Sequence, residues 1–339
     1  MWSVKFFTAQ SNGAQKNERR INVKNELKVE LNNYLKNCAL YYDLPGIVLG
    51  ASVGIRDFNY KGASGYKDIR TKEVLHYDDI FHMASLTKPF AAMAILMLVD
   101  QGKLKLSDKM IDIIKTAPID DKRYEEVTIE HILTHTSGIF ESKFSWEPSS
   151  RYFSYQDETY DTLGLVIKEI TGINFSDYVN KNILLPLNMC HSEISVTTRK
   201  DLICGHQKDK ENKITGPVMF EYCEERAPSS TLTSNLSDME KWANEVLVNK
   251  TLLSPKSYDL MFKEHAKIEG TDQHMCISWF KREQAGHTLY GHFGSDEGYR
   301  TCFWICPKLD IHISVMSNIT TTPIRRISEE VFDMLLTII

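Results

Sequence analysis

Residues 90–99, FAAMAILMLV, are apolar on every side of a helical projection and stop shortly before Gly102. A helix that is hydrophobic all round has no face to offer water, so it must run through the middle of a core. The run is about half of the ~20 residues that a bilayer span requires, so that core is protein and not lipid. Pro89 fits the first turn of such a helix and little else, which sets its start. Gly102 supplies a helix stop. The rest of the chain has to wrap around this segment, and any polar group at its mouth is carried inward with it.

Two such groups stand there, Ser85 and Lys88, within FHMASLTKPF. A serine hydroxyl is a poor nucleophile until something takes its proton. A lysine three residues on lies one turn away on the same helical face. Desolvation or a neighbouring cation lowers the pKa of an amine enough for it to act as a base. Free N–H groups at the helix N-terminus suit a developing oxyanion. The pair therefore makes a workable acylation site. It equally fits a helix cap at Ser85 with a solvated Lys88.

The remaining chain divides into three stretches. Residues 1–20 are polar and mixed in charge and are expected as a loose tail. Residues 21–43 carry Leu27, Val29, Leu31, Tyr34, Leu35 and Cys38 near helical spacing, and PGIVLGASVGI and NYKGASGYKD follow as expected strands. The middle reads mostly as helices, among them VTIEHILTHTSG, with Thr128 as cap and Gly138 as stop, and YDTLGLVIKEITG, ending at Gly172. Strand-like segments return in TLYGHFG, GYRTCFWICP and IHISVMSN, and PIRRISEEVFDMLLTI closes the chain as an amphipathic helix. This order predicts a sheet lobe built from residues 21–104 and 226–339, with a mainly helical lobe, 105–225, inserted between its halves. A cleft between lobes is a usual place for a site.

The segment DDIFHMASLTKPFAAMAILMLVDQGKLKLSDKM resembles the first motif of the serine β-lactamase and penicillin-binding-protein family. It is most similar to the branch of class C β-lactamases, D,D-peptidases, esterases and D-aminopeptidases. PGIVLGASVG resembles that family's first strand, VTIEHILTHTSGI its LLTHTSGL segment, TYDTLGLVIKEITG the helix after its second motif, and LYGHFGSDEGYR its third motif. The likeness runs in order through residues 40–339. It implies an α/β (α+β) fold of the β-lactamase/transpeptidase type, with an antiparallel sheet flanked by terminal helices and an inserted helical lobe. By the same likeness Ser85 matches the acylated nucleophile, Lys88 its partner, and Tyr155 the tyrosine that shares proton transfer with the lysine. His292 and Gly294 match the element on the strand facing the serine, and the backbone N–H of Ser295 would pair with that of Ser85 as an oxyanion hole.

Two positions depart from the family pattern. The asparagine of the second motif is Asp157, and a carboxylate accepts hydrogen bonds without donating any. That puts the usual contact with a substrate amide carbonyl in doubt, and Asp157 equally fits an ion pair with Lys88 or a cap on the helix at 159–171. His292 stands where many members carry lysine, as in the esterase and D-aminopeptidase members. Asp296 and Glu297 follow it, so acidic side chains are expected either to favour a cationic substrate in the cleft or to turn to solvent and Arg300.

The implied activity is a serine hydrolase that hydrolyses or transfers an ester, amide or peptide bond through an acyl-enzyme on Ser85, with D-residues among its substrates. A β-lactamase or D,D-carboxypeptidase is the nearest alternative, and a non-catalytic binder that only holds its ligand is the alternative of another class. A net charge of −5 excludes a basic footprint for nucleic acid, so the expected partner is a small molecule or short peptide. No span of membrane length occurs and the first residues lack a secretory core, so a cytoplasmic location is expected unless a leader has been removed. Seven cysteines without framework spacing are expected as thiols. His131 and His135 have the spacing of two zinc ligands on a helix but lack H-E-x-x-H and a third ligand, so no metal and no cofactor are expected.

Overall fold

The structure, a computed structural model, describes residues 4–115, 119–140, 143–148 and 152–339, with side chains from Ile21 onward. Its main sheet draws on both ends of the chain. The N-terminal part gives β1 (Gly46–Val53), β2 (Phe58–Asp68) and β3 (Glu73–Val74). The C-terminal part gives β4 (Ala266–Lys267), β5 (His274–Met275), β6 (Phe280–Gln284), β7 (His287–Asp296), β8 (Tyr299–Cys306) and β9 (Ile311–Ser317). The strands lie in the order β4-β5-β6-β7-β8-β9-β1-β2-β3. The two halves join where β1 meets β9 antiparallel, with Ile47 opposite Ser317 and Val53 opposite Ile311.

Strands β8 and β9 are buried along almost their whole length, so both faces of the sheet need a cover. Side chains alternate between faces along each strand. Ile47 and Leu49 pack against the terminal helices, α1 (Val4–Tyr41) through Leu27, Leu31 and Leu35, and α4 (Ile324–Leu336) through Ile327, Val331 and Leu335. Val48, between them, belongs to the opposite core, which holds α2 (Lys88–Asp100). Within α2 every residue from Phe90 to Leu96 is fully buried, and Phe90 stacks on Trp242 at 4.0 Å. The helix is followed by Gly102 at φ 69, as its all-apolar pattern predicts.

The backbone of α1 is helical from Val4, so residues 4–20 do not form the loose tail expected; residues 1–3 lie outside the described residues. The middle of the chain is less purely helical than its pattern implies. It contains α3 (Asp157–Thr171), but Ile139–Phe140 pairs with Lys143–Phe144, and Gly205–Lys208 pairs with Ile214–Val218. A further small sheet places Leu232–Ser234 between Phe81–His82 and Glu193–Ile194. The helix capped by Thr128 covers only Ile129–Leu133, and His135 lies beyond it in a left-handed conformation, φ 54. His131 and His135 therefore share no helical face, and the zinc spacing is lost. All seven cysteines are free, and no helix among the described residues is long and apolar enough to cross a membrane.

Candidate active site

Ser85 sits in a 3-10 turn, Ala84–Thr87, that leads from the strand Phe81–His82 into α2. The turn starts with Ala84 at φ 50, a conformation that costs an alanine about 1 kcal/mol or more and survives only where neighbours over-determine it. They do so here. The Met83 N–H donates to the Leu232 carbonyl at 2.8 Å, and the Met83 carbonyl accepts from Thr301 Oγ1 at 2.9 Å. Thr87 Oγ1 donates to the Ala84 carbonyl at 2.7 Å and accepts from the Leu232 N–H at 2.9 Å. The turn is thereby clamped between β8 and the strand Leu232–Ser234, and Ser85 is left 9% exposed at the mouth of α2.

Lys88, 0% exposed, brings its ammonium back over that mouth. Nζ lies 3.2 Å from Ser85 Oγ, 2.5 Å from Asp157 Oδ1 and 3.1 Å from the Ser229 carbonyl. The rings of Tyr155 and Tyr160 flank it, with centroids at 4.8 and 5.3 Å. The Tyr155 side chain also interacts with Ser85 and Lys88. Burial pulls the Lys88 amine down, but the charges and hydrogen bonds of Tyr155 and Asp157 outweigh it, and its pKa is raised. Burial raises the Tyr155 phenol as well, against the opposing pull of Lys88. Lysine and tyrosine thus both hold their protons at rest.

The supports of this cluster come from residues outside the three motifs that carry Ser85, Tyr155 and Gly294. His135 stacks on the Tyr155 ring at 4.3 Å with its Nδ1 accepting from the Gln156 N–H at 3.3 Å. Its left-handed backbone turns it there from the end of the short helix. Tyr160 donates to the Lys88 carbonyl at 2.9 Å. Asp161 accepts from the Ser229 N–H at 3.1 Å, and so steadies the peptide that receives Lys88; burial pushes its carboxyl up to about 7. THTSG is legible as a packing segment, but its stacking on Tyr155 depends on a chain reversal that residue types do not announce.

Strand β7 closes the other side. His292 and Gly294 lie on one face of it, by the alternation of the strand. A Cβ on Gly294 would stand 2.0 Å from Thr301 Oγ1 and 2.2 Å from the Met83 carbonyl oxygen, so only glycine lets β7 lie against the turn that carries Ser85. His292 is buried with Nδ1 2.7 Å from the Phe293 carbonyl and Nε2 without a hydrogen-bond partner among the described residues. Burial, aided by the Lys88 charge, lowers its pKa to about 3, so it is neutral. Ser295 follows on the exposed edge, paired across the ladder with Arg300.

The acidic pair after the third motif does not face the cleft as a pair. Asp296 Oδ2 lies 3.2 Å from Nε2 of the buried His82, whose Nδ1 is 2.9 Å from the Tyr222 hydroxyl. Arg300 donates to the Asp296 carbonyl at 3.3 Å, and Glu297 is exposed. Asp157, whose side chain is 50% exposed beside Lys88, is the carboxylate that stands at this cleft.

One other cluster has metal-ligand composition. Asp68, Cys204 and His206 bring a donor atom each within 4.8 Å of one another. All three are otherwise engaged. Arg70 closes on both Asp68 oxygens, at 3.0 Å to Oδ1 and 2.6 Å to Oδ2. His206 Nε2 accepts from the Ile69 N–H at 3.3 Å, and burial pushes the Cys204 thiol up to about 11. The guanidinium already supplies the positive charge a cation would bring.

A family model described as Beta-lactamase matches residues 31–334. Protein flp of Staphylococcus aureus is 25% identical over 325 residues, covering 84% of this chain and 62% of that protein, so the chain spans less than two thirds of that relative's length. Among solved structures, the octameric penicillin-binding protein homologue from Pyrococcus abyssi superposes with a TM-score of 0.81 at 23% identity, covering 91% of this chain and 77% of that one. The D-amino acid amidase from Ochrobactrum anthropi superposes with a TM-score of 0.79 at 18% identity, covering 92% and 99%.

Proposed function

Because the chain belongs to the Beta-lactamase family, we propose that it is a serine hydrolase forming an acyl-enzyme on Ser85. The observation that carries this reading is the buried Lys88 ammonium 3.2 Å from the Ser85 hydroxyl, at the mouth of an apolar helix. Ser85 Oγ attacks the acyl carbon of an ester or amide, and its proton enters the network of Lys88, Tyr155 and Asp157. The N–H groups of Ser85 and Ser295 receive the oxyanion, each worth roughly 3 kcal/mol in the transition state. Gly294 leaves room for the acyl chain to lie along β7. Water then takes the place of the departed alcohol or amine and releases the acid.

His292 bears on the substrate. It is uncharged, so β7 offers no cation at that position to hold a substrate carboxylate. That favours neutral or cationic esters, amides and short peptides over penicillins. The similarity in fold to a D-amino acid amidase supports the inclusion of D-residues. A β-lactamase or D,D-carboxypeptidase is the second reading, supported by the similarity to a penicillin-binding protein homologue.

The test is mass spectrometry after incubation with a p-nitrophenyl ester, a D-amino-acid amide and a penicillin. Turnover of the ester or amide through a transient adduct on Ser85 is expected, with Ser85→Ala abolishing it and Lys88→Ala lowering it by several orders of magnitude. A persistent adduct without turnover would make the protein a binder. Turnover that survives Ser85→Ala would move the nucleophile elsewhere.

A further inference from the structure

The three N–H donors of the Lys88 ammonium serve three acceptors: Ser85 Oγ, Asp157 Oδ1 and the Ser229 carbonyl. An ammonium so engaged has no lone pair to take a proton from Ser85. The anion that holds it in this state is the carboxylate that stands in place of the amide expected from the second motif. An amide at position 157 has no charge with which to hold an ammonium and no basic oxygen to receive a proton; a carboxylate does both.

We propose that Asp157 is the terminal acceptor of the Ser85 proton, with Lys88 passing it on. The proposal rests on the hydrolase reading above. As Ser85 Oγ bonds to the acyl carbon, the Oγ–H proton moves to Nζ while an Nζ proton moves to Asp157 Oδ1. Lys88 is an ammonium before and after, and Asp157 becomes a carboxylic acid. When the C–N or C–O bond breaks, its electron pair goes to the leaving amine or alkoxide. Lys88 gives an Nζ proton to that group and takes one back from Asp157, which is a carboxylate again. The distances of 3.2 and 2.5 Å on either side of Nζ are those of two consecutive proton transfers. The position suits the role. Asp157 opens α3, whose N-terminus favours an anion, and its side chain is 50% exposed.

The other titratable groups around this pair are named by the packing. His135 and His292 face Lys88 from the loop before α3 and from β7, and burial keeps both neutral, with a further push from Lys88. Tyr155 and Tyr160 flank it as phenols. Asp161, one turn along α3, is the rival carboxylate, but its oxygen is taken by the Ser229 N–H.

The pH dependence of Ser85 labelling by a fluorophosphonate separates the relay from a mere clamp. If Asp157 accepts the proton, the wild-type rate is level through neutrality and falls only on the acid side. Asp157→Asn then leaves neutral Lys88 as the base, and the rising limb moves up by at least about one pH unit. If Asp157 only clamps Lys88, the wild-type limb is alkaline and Asp157→Asn moves it down, which overturns the proposal. A wild-type measurement in mixed light and heavy water guards against a variant that fails to fold: two protons in flight give a curved dependence on deuterium fraction, and a straight line overturns the relay. No labelling of the wild type at any pH would remove the hydrolase reading itself, and the relay with it.

Discussion

Gly294 shows how much a single missing atom does. Its place on β7 is defined by the Met83 carbonyl oxygen, which a Cβ would approach to 2.2 Å, and by Thr301 Oγ1 at 2.0 Å. Neither neighbour is the far end of a flexible chain. Gly294→Ala is therefore expected to push β7 away from the turn and to widen the gap between Ser85 and the edge that carries Ser295. A displacement of about 1 Å there is expected to lower kcat about 100-fold while the far-ultraviolet circular dichroism is unchanged. Activity within a few-fold of wild type would mean that β7 takes no part in holding the acyl group. His292, one pleat away, illustrates a different effect: burial makes it neutral, so a residue type associated with charge contributes shape and a polar nitrogen instead.

At the scale of the element, the decisive piece is the turn Ala84–Thr87. It holds an alanine at φ 50 against its preference, and Thr87 bears much of that load with one hydroxyl, donating to the Ala84 carbonyl and accepting from the Leu232 N–H. Thr87→Val keeps the shape and removes both side-chain hydrogen bonds, taking from the buried Leu232 N–H the acceptor it has in Thr87 Oγ1. The expected cost is about 1 to 3 kcal/mol of stability, read from urea unfolding. Labelling of Ser85 should fall in parallel, since the turn also aims the hydroxyl. A loss below about 0.5 kcal/mol would show that the clamp from β8 through Thr301 is sufficient alone.

For the whole molecule, buried neutral histidines set the response to acid. Burial lowers the pKa of His292 and of His312 to about 3, from 6.5 in the unfolded chain. Below 6.5 the unfolded chain binds protons that the native state refuses, so their contribution is complete above that pH and drains away as pH falls toward 3. Asp161 acts in the opposite sense: burial raises it to about 7, so its contribution is present at low pH and lost as pH rises from 3.8 through 7. Burial lowers His82, His131, His135 and His206 as well, so the histidines outweigh the one carboxyl and give a net loss in acid. The urea midpoint is expected to drop between about pH 7.5 and about pH 4.5, and His312→Gln, away from the active site, should shrink that drop. An unchanged drop in His312→Gln would mean that other groups carry the acid sensitivity.

Much of this architecture is legible in the residues. The run Phe90–Val99 reads as a buried helix, Gly102 and Gly172 mark helix ends through their left-handed φ, and turn residues bound the segments that form β1 and β9. Ser85 and Lys88 are near neighbours by helical spacing alone. What tertiary structure decided is which charge each polar group meets. Asp157 reaches Lys88 across 69 positions of chain, and Asp296 reaches His82 across 214. Nothing local to either aspartate distinguishes them. One became the ion partner of Lys88 and the other a half-buried partner of His82, on the strand that leads to Ser85, because α3 and β7 approach the mouth of α2 from different sides. Periodicity and turn chemistry act over a few residues and so can be read along the chain. The direction in which a carboxylate points is set by the cation or imidazole that packing brings within about 3 Å of it, and that is a property of the folded molecule.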